Sequence, residues 1–218
     1  MKTTKEIIKE LKSFSEPEYL VMGEKFACPV ENSWGVPIPY IRKLAREIGK
    51  DHELALELWK HRIREVKQLA TLIDKPEKVT EKQMEFWVKA FDCWVLCDHV
   101  CMNLFDKTKF AEKKIFEWSK RKEEFVRRAA FVLIASLAVH DKSAKDSDFE
   151  KFFPLIKSAA TDERNFVKKA VNWALRQIGK RNEDLRKSAL KTAKEILKFD
   201  SKSARWIASD AIIELKKK

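Results

Sequence analysis

Apolar residues recur at three- and four-residue intervals along nearly the whole chain, with no sustained alternation of apolar and polar positions. That period is helical, and the sparing use of breakers, 4 glycines and 6 prolines in 218 residues, agrees with it. The spacing predicts helices beginning after Thr3 or Thr4, near Glu16, after Pro39 and near Asp51, then over 62–73, after Thr80, over 91–105 and after Lys107. Further helices are predicted over 123–137, 148–158, 163–179, 183–197 and 203–215. Thr80 with Gln83 has the form of a capping box, and Thr161 with Arg164 marks another helix start. Within 91–105, Trp94 and Asp98 stand four residues apart and share a helix face, so a carboxylate points wherever the indole points. The fold class is all-α.

Internal similarity organises these helices. FVRRAAFVLIASLA from Phe125 aligns without a gap with FVKKAVNWALRQIG from Phe166, an offset of 41 residues. ARWIASDAIIEL from Ala204 follows at an offset near 38, and EVKQLATLID from Glu65 is a weaker copy. Helix pairs repeating at that interval imply an α-α superhelix of HEAT-like repeats, each pair burying its face only against its neighbours. Residues 1–218 are read as a single such domain with a concave groove. Arg127, Arg128, Lys168 and Lys169 occupy equivalent places at the starts of successive inner helices. Helix amino termini already favour phosphate, so cations there make the groove basic and suited to a duplex backbone.

Charge points the same way: 46 Lys and Arg against 34 Asp and Glu give a net charge of +12. Such an excess favours a polyanionic partner, nucleic acid first and an anionic membrane surface second. MKTTKEIIKELKSF is amphipathic rather than a signal peptide, and AAFVLIASLAV from Ala129 is too short to cross a bilayer, so a cytoplasmic protein, nucleoid-associated when bound to DNA, is expected. Cys93, Cys97 and Cys101 share a helical stripe, but His99 lies on another face and Cys28 is distant, so no metal site is expected. The four histidines form no triad, and no Gly-rich phosphate loop or dinucleotide fingerprint is present, so no nucleotide or other cofactor is expected. Trp34, Trp59, Trp87, Trp118 and Trp206 are read as packing residues.

Five segments, GVPIPYIRKLAREI from Gly35, CWVLCD from Cys93, EFVRRAAFV from Glu124, NFVKKAVNWALRQIGKRN from Asn165 and ARWIASDAIIEL, occur in an order that resembles the AlkD-like DNA alkylation repair proteins, which are HEAT-like-repeat DNA glycosylases. The resemblance covers most of the chain. It implies removal of purines alkylated at N3 or N7 from double-stranded DNA, leaving an abasic site; the chain is expected to act as a monomer. It places the family's catalytic aspartate on Asp98, its active-site tryptophan on Trp94, a second tryptophan on Trp173 and a DNA-facing arginine on Arg128. Cys93 and Val95 depart from the family's N-W-D-L-C-D form.

The implied chemistry gives the Trp94–Asp98 spacing a purpose. Alkylation at N3 or N7 makes the purine cationic and a good leaving group, so one carboxylate that stabilises the developing sugar cation and orients water is enough. Indole faces add cation–π attraction. Two other readings are a non-catalytic HEAT-like module for damaged or branched DNA and a scaffold for an acidic protein.

Overall fold

The computed structural model describes residues 2–25 and 27–217, and among them helices and turns account for all regular structure. The chain divides into two compact units, Met1–Lys109 and Phe110–Lys218.

The first unit holds α1 (Thr4–Ser13), α2 (Pro17–Lys25), α3 (Ile38–Ile48), α4 (His52–Trp59), α5 (Arg64–Ile73), α6 (Glu81–Val88) and α7 (Trp94–Asn103). Local chemistry sets several of their starts. The Glu6 backbone N–H donates to the Thr3 hydroxyl and the Thr3 N–H to the Glu6 carboxylate, a complete capping box. Thr80 accepts from the Gln83 backbone N–H at 3.1 Å, but the Gln83 side chain donates to Asp74 at 2.6 Å instead of back to Thr80. The predicted box is therefore half formed, because a buried carboxylate competes for the amide. Helix α5 is the hub of this unit, packing against α3, α4 and α7. Trp59 and Trp87 stack at 3.8 Å in its core, and Trp87 meets Phe105 at 6.2 Å.

Gly35 must be glycine for two reasons. Its φ is 68°, and a Cβ there would stand 2.6 Å from the Glu16 carbonyl oxygen. The Glu65 carboxylate fixes this turn by accepting from the Ser33 hydroxyl at 2.5 Å and the Gly35 N–H at 3.0 Å.

The second unit holds α8 (Ala111–Trp118), α9 (Glu124–His140), α10 (Asp146–Glu150), α11 (Phe153–Ala159), α12 (Asn165–Gly179), α13 (Glu183–Ile196) and α14 (Lys202–Lys216). Helices α9, α12 and α14 pack in succession, with α8, α11 and α13 laid against them in turn. This is the helical-repeat arrangement that the offsets of 41 and 38 predict. Phe125 and Phe166, equivalent in that alignment, touch with ring centroids 5.4 Å apart. The helix predicted over 148–158 is instead two, α10 and α11, because Pro154 lacks an N–H and its ring would clash with the carbonyl of Glu150. Arg164, not Thr161, is the cap residue of α12; its N–H donates to the Asp162 carboxylate at 3.1 Å, and no side chain caps the helix itself.

Candidate functional site

The chain turns sharply after α6 and tucks Phe91 into the core against Phe105, 6.4 Å between centroids. Cys93 is extended (φ −154°, ψ 166°), so α7 begins at Trp94 rather than at Phe91 as the spacing predicts. The difference matters, because Trp94 becomes the first helical residue, where backbone N–H groups lack intrahelical acceptors. Leu96, Cys97, His99, Val100 and Cys101 of α7 are buried. Half-buried on the helix are Trp94, Asp98 and Met102, one turn apart in succession, with Val95 and Asn103 beside them. Asp98 thus lies on the same open face as the indole.

His99, the next residue, points inward and is 8% exposed. Its Nε2 lies 3.2 Å from the Gln68 backbone carbonyl, and since a carbonyl only accepts, Nε2 carries the proton. Burial brings the imidazole pKa down to about 4, against the opposing pull of that hydrogen bond. The folded chain therefore stays neutral at His99 where the unfolded chain, titrating near the ordinary histidine value of 6.5, takes up a proton. Stability should rise with pH through this window and be lost on acidification, by on the order of 3 kcal/mol at full protonation. Urea midpoints should fall between pH 7 and pH 5, and fall less in His99→Gln. Equal falls in both proteins would rule out a neutral buried histidine.

Trp94 also walls a cavity of about 280 Å³ within the first unit, lined by Tyr19, Cys28, Arg64, Glu65 and Gln68 among others. Arg64 donates through Nη2 to the Pro29 carbonyl, while its Nε and the Gln68 Nε2 are buried without an acceptor. Unmet donors on a cavity wall are unusual, and they mark this wall as chemically unfinished.

In the second unit, Arg127 and Arg128 lie in the first turns of α9, and Lys168, Lys169 and Trp173 on α12. Arg127 is ion-paired with Asp162 at 3.0 Å. Burial pushes the Asp162 carboxyl up, but Arg164 and Arg127 together hold it below the usual carboxylate range. Arg128 is 5% exposed and donates to the Phe166 carbonyl at 2.6 Å, so it ties α9 to α12. Lys169 is exposed, Lys168 and Trp173 half-buried.

One expectation needs correction. Trp59, Trp87 and Trp118 are core residues and Trp34 is half-buried, but Trp206 is 41% exposed on α14, with the Lys168 Nζ 5.4 Å from its ring centroid. The repeat offset of 38 sets Trp206 at the place of Lys168 in the preceding repeat, an outward position. That alignment was the clue; tryptophan's usual burial pointed the other way.

A family model for DNA alkylation repair enzyme matches residues 7–215. The chain belongs to the DNA alkylation repair enzyme family. An uncharacterized protein of Listeria innocua is 23% identical over 191 residues, 86% of this chain and 83% of that protein. The fold of this family member matches the solved structure of a protein from a family related to the HEAT-like repeat DNA glycosylases with affinity for branched DNA structures. The TM-score is 0.82 at 19% identity, covering 99% of this chain and 95% of that one. The fold is therefore the HEAT-like helical repeat. Among the described residues no helix is long and apolar enough to cross a membrane.

Proposed function

We propose that this chain hydrolyses the N-glycosidic bond of purines alkylated at N3 or N7 in duplex DNA, acting as one domain and needing no cofactor. The observation that carries the proposal is the open face of α7, where a carboxylate follows an indole by one turn. As the bond to a cationic purine breaks, charge passes to the sugar. Asp98 stabilises that charge and orients the attacking water, and Trp94 offers a flat electron-rich face beside it. The adjacent imidazole is no alternative acid, being neutral, inward-facing and committed to Gln68. In the second unit, Trp173 is assigned an aromatic contact and Lys168 and Lys169 the phosphate contacts, while Arg128, 5% exposed, holds α9 to α12. Incubation with methylated duplex DNA and detection of free 7-methylguanine and 3-methyladenine tests the activity directly.

A second reading, binding to branched DNA without base release, is favoured by Trp206. An exposed indole with a lysine above it, beside further cations, suits an unstacked base flanked by phosphates. The solved relative has affinity of that kind. Tight binding to a junction with no base released from methylated duplex would favour this reading over the first.

Either reading makes the α12 lysines phosphate ligands. Lys168→Gln with Lys169→Gln should weaken binding to damaged and undamaged duplexes alike and reduce the salt slope by about 1 to 2. These two are the informative pair, because Arg127 and Arg128 also hold the fold through Asp162 and Phe166. An unchanged slope would place α12 away from DNA.

A further inference from the structure

Helix α2 closes with two reverse bonds, from the Ala27 N–H to Glu24 at 2.9 Å and from the Cys28 N–H to Gly23 at 3.0 Å. Ala27 adopts φ 55°, a left-handed position normally given to glycine. Strain of this kind persists where the surroundings over-determine it, and here it turns Cys28 inward onto the wall of the cavity that Trp94 lines. The neighbour of Cys28 is Cys93, the extended residue that precedes Trp94, and the two buried thiols lie close enough to interact.

The surroundings of Cys28 favour a thiolate. The Cys93 S–H donates to it and, against the opposing effect of burial, the Val95 N–H at the start of α7 and the nearby Arg64 cation add to this, bringing the thiol down to about 7. Arg64 itself has an unmet buried donor. A helix amino terminus beside a cation is the setting in which cysteines become nucleophiles. The same chain supplies a contrast. Cys97 and Cys101 are also buried, one helical turn apart, yet burial and then the neighbouring Cys97 push the Cys101 thiol well up.

We propose that Cys28 and Cys93 form a redox-active dithiol, with Cys28 attacking a peroxide and Cys93 resolving the product into a disulfide next to Trp94. In the first step the Cys28 sulfur forms a bond to one peroxide oxygen, the O–O bond breaks, and the departing hydroxide takes a proton to become water. Cys28 is then a sulfenic acid. In the second step the Cys93 sulfur attacks the Cys28 sulfur, the S–O bond breaks, and the hydroxyl leaves with the Cys93 proton as a second water. Two electrons pass from the thiols to the peroxide. The bond would tie the loop after α2 to the residue that precedes α7, restraining the cavity wall from both sides. This chemistry is independent of the glycosylase reading.

The test treats the full chain with a few equivalents of hydrogen peroxide, alkylates remaining thiols in denaturant and maps the peptides by mass spectrometry. A linked Cys28–Cys93 pair, lighter by ~2 Da than the two thiols, is expected, with Cys97 and Cys101 recovered alkylated. Cys93→Ser should leave Cys28 as a sulfenic acid that dimedone labels, and in the unsubstituted chain the rate of Cys28 oxidation should be half-maximal near pH 7 rather than near 9. Cys28→Ser should leave Cys93 unlabelled. Four alkylated thiols after a dose that oxidises a reference dithiol, or a Cys97–Cys101 link, would overturn the proposal. The unsubstituted chain alone decides the matter if a variant does not fold.

Discussion

Asp98→Asn is expected to slow release of 7-methylguanine and 3-methyladenine from duplex DNA by at least about 100-fold while changing affinity for the same duplex by less than about threefold. The substitution keeps the shape of the side chain and removes only its charge. That charge is needed chiefly when the sugar becomes cationic, so its loss raises the barrier without weakening the ground-state complex. Losing one such preorganised electrostatic group costs on the order of 3 to 4 kcal/mol in other enzymes. Single-turnover rates, together with binding curves for a duplex with an abasic site, separate the two effects. Release at the unsubstituted rate would remove Asp98 from the chemistry. Asp98 is half-buried, and circular dichroism with a melting curve checks that the variant keeps the parent's fold.

The pairing of Trp94 with Asp98 was readable because helical spacing alone puts them on one face, whatever surrounds them. What the spacing could not show is the cavity on which Trp94 borders. Its wall is assembled from Cys28, from Arg64 and Gln68 of α5 and from Trp94 of α7, three stretches brought together only by packing. The contact between Cys28 and Cys93 is invisible for the same reason, and the cysteine stripe drew attention instead to Cys97 and Cys101. Boundaries failed where a side chain's tertiary partner outweighed the local pattern. Phe91 continues the apolar period of α7 but is spent against Phe105, so the helix starts three residues later.

The segments that carry the family resemblance turn out to be rich in structural duties. In NWALRQIGKRN, Asn172 donates to the Ile207 carbonyl at 3.1 Å and Arg176 is paired with Glu214. Arg181 donates to the carbonyls of Ala138 and Asp141 at the end of α9. A Cβ on Gly179 would stand 2.8 Å from Leu215 and 3.0 Å from Ala189, so helices α13 and α14 can approach α12 only over a glycine. Asn182 caps α13, accepting from the Leu185 N–H at 2.9 Å. These residues join one repeat to the next, and this explains how a motif specific to the family can contain little of its chemistry. Asp98 and Trp94, by contrast, are half-buried on one face of α7, outside these joints.

Duplexes containing 7-methylguanine or 3-methyladenine should lose the modified base, whereas duplexes containing uracil or hypoxanthine should keep theirs over the same interval. A neutral base leaves as an anion unless it is protonated, so its release needs a general acid near neutral pH. Around Asp98 the nearest candidate is His99, rotated by about 100° on the helix. Its pKa near 4 leaves it unprotonated at neutral pH, and its one N–H is held by the Gln68 carbonyl. A cationic purine carries its own activation and asks only for stabilisation of the sugar, which one carboxylate supplies. The discrimination should persist in His99→Gln, because the imidazole takes no part. Efficient uracil release that survives Asp98→Asn would overturn the mechanism. Release confined to the cationic purines, and lost in Asp98→Asn, is the outcome that a single carboxylate on the open face of α7 requires.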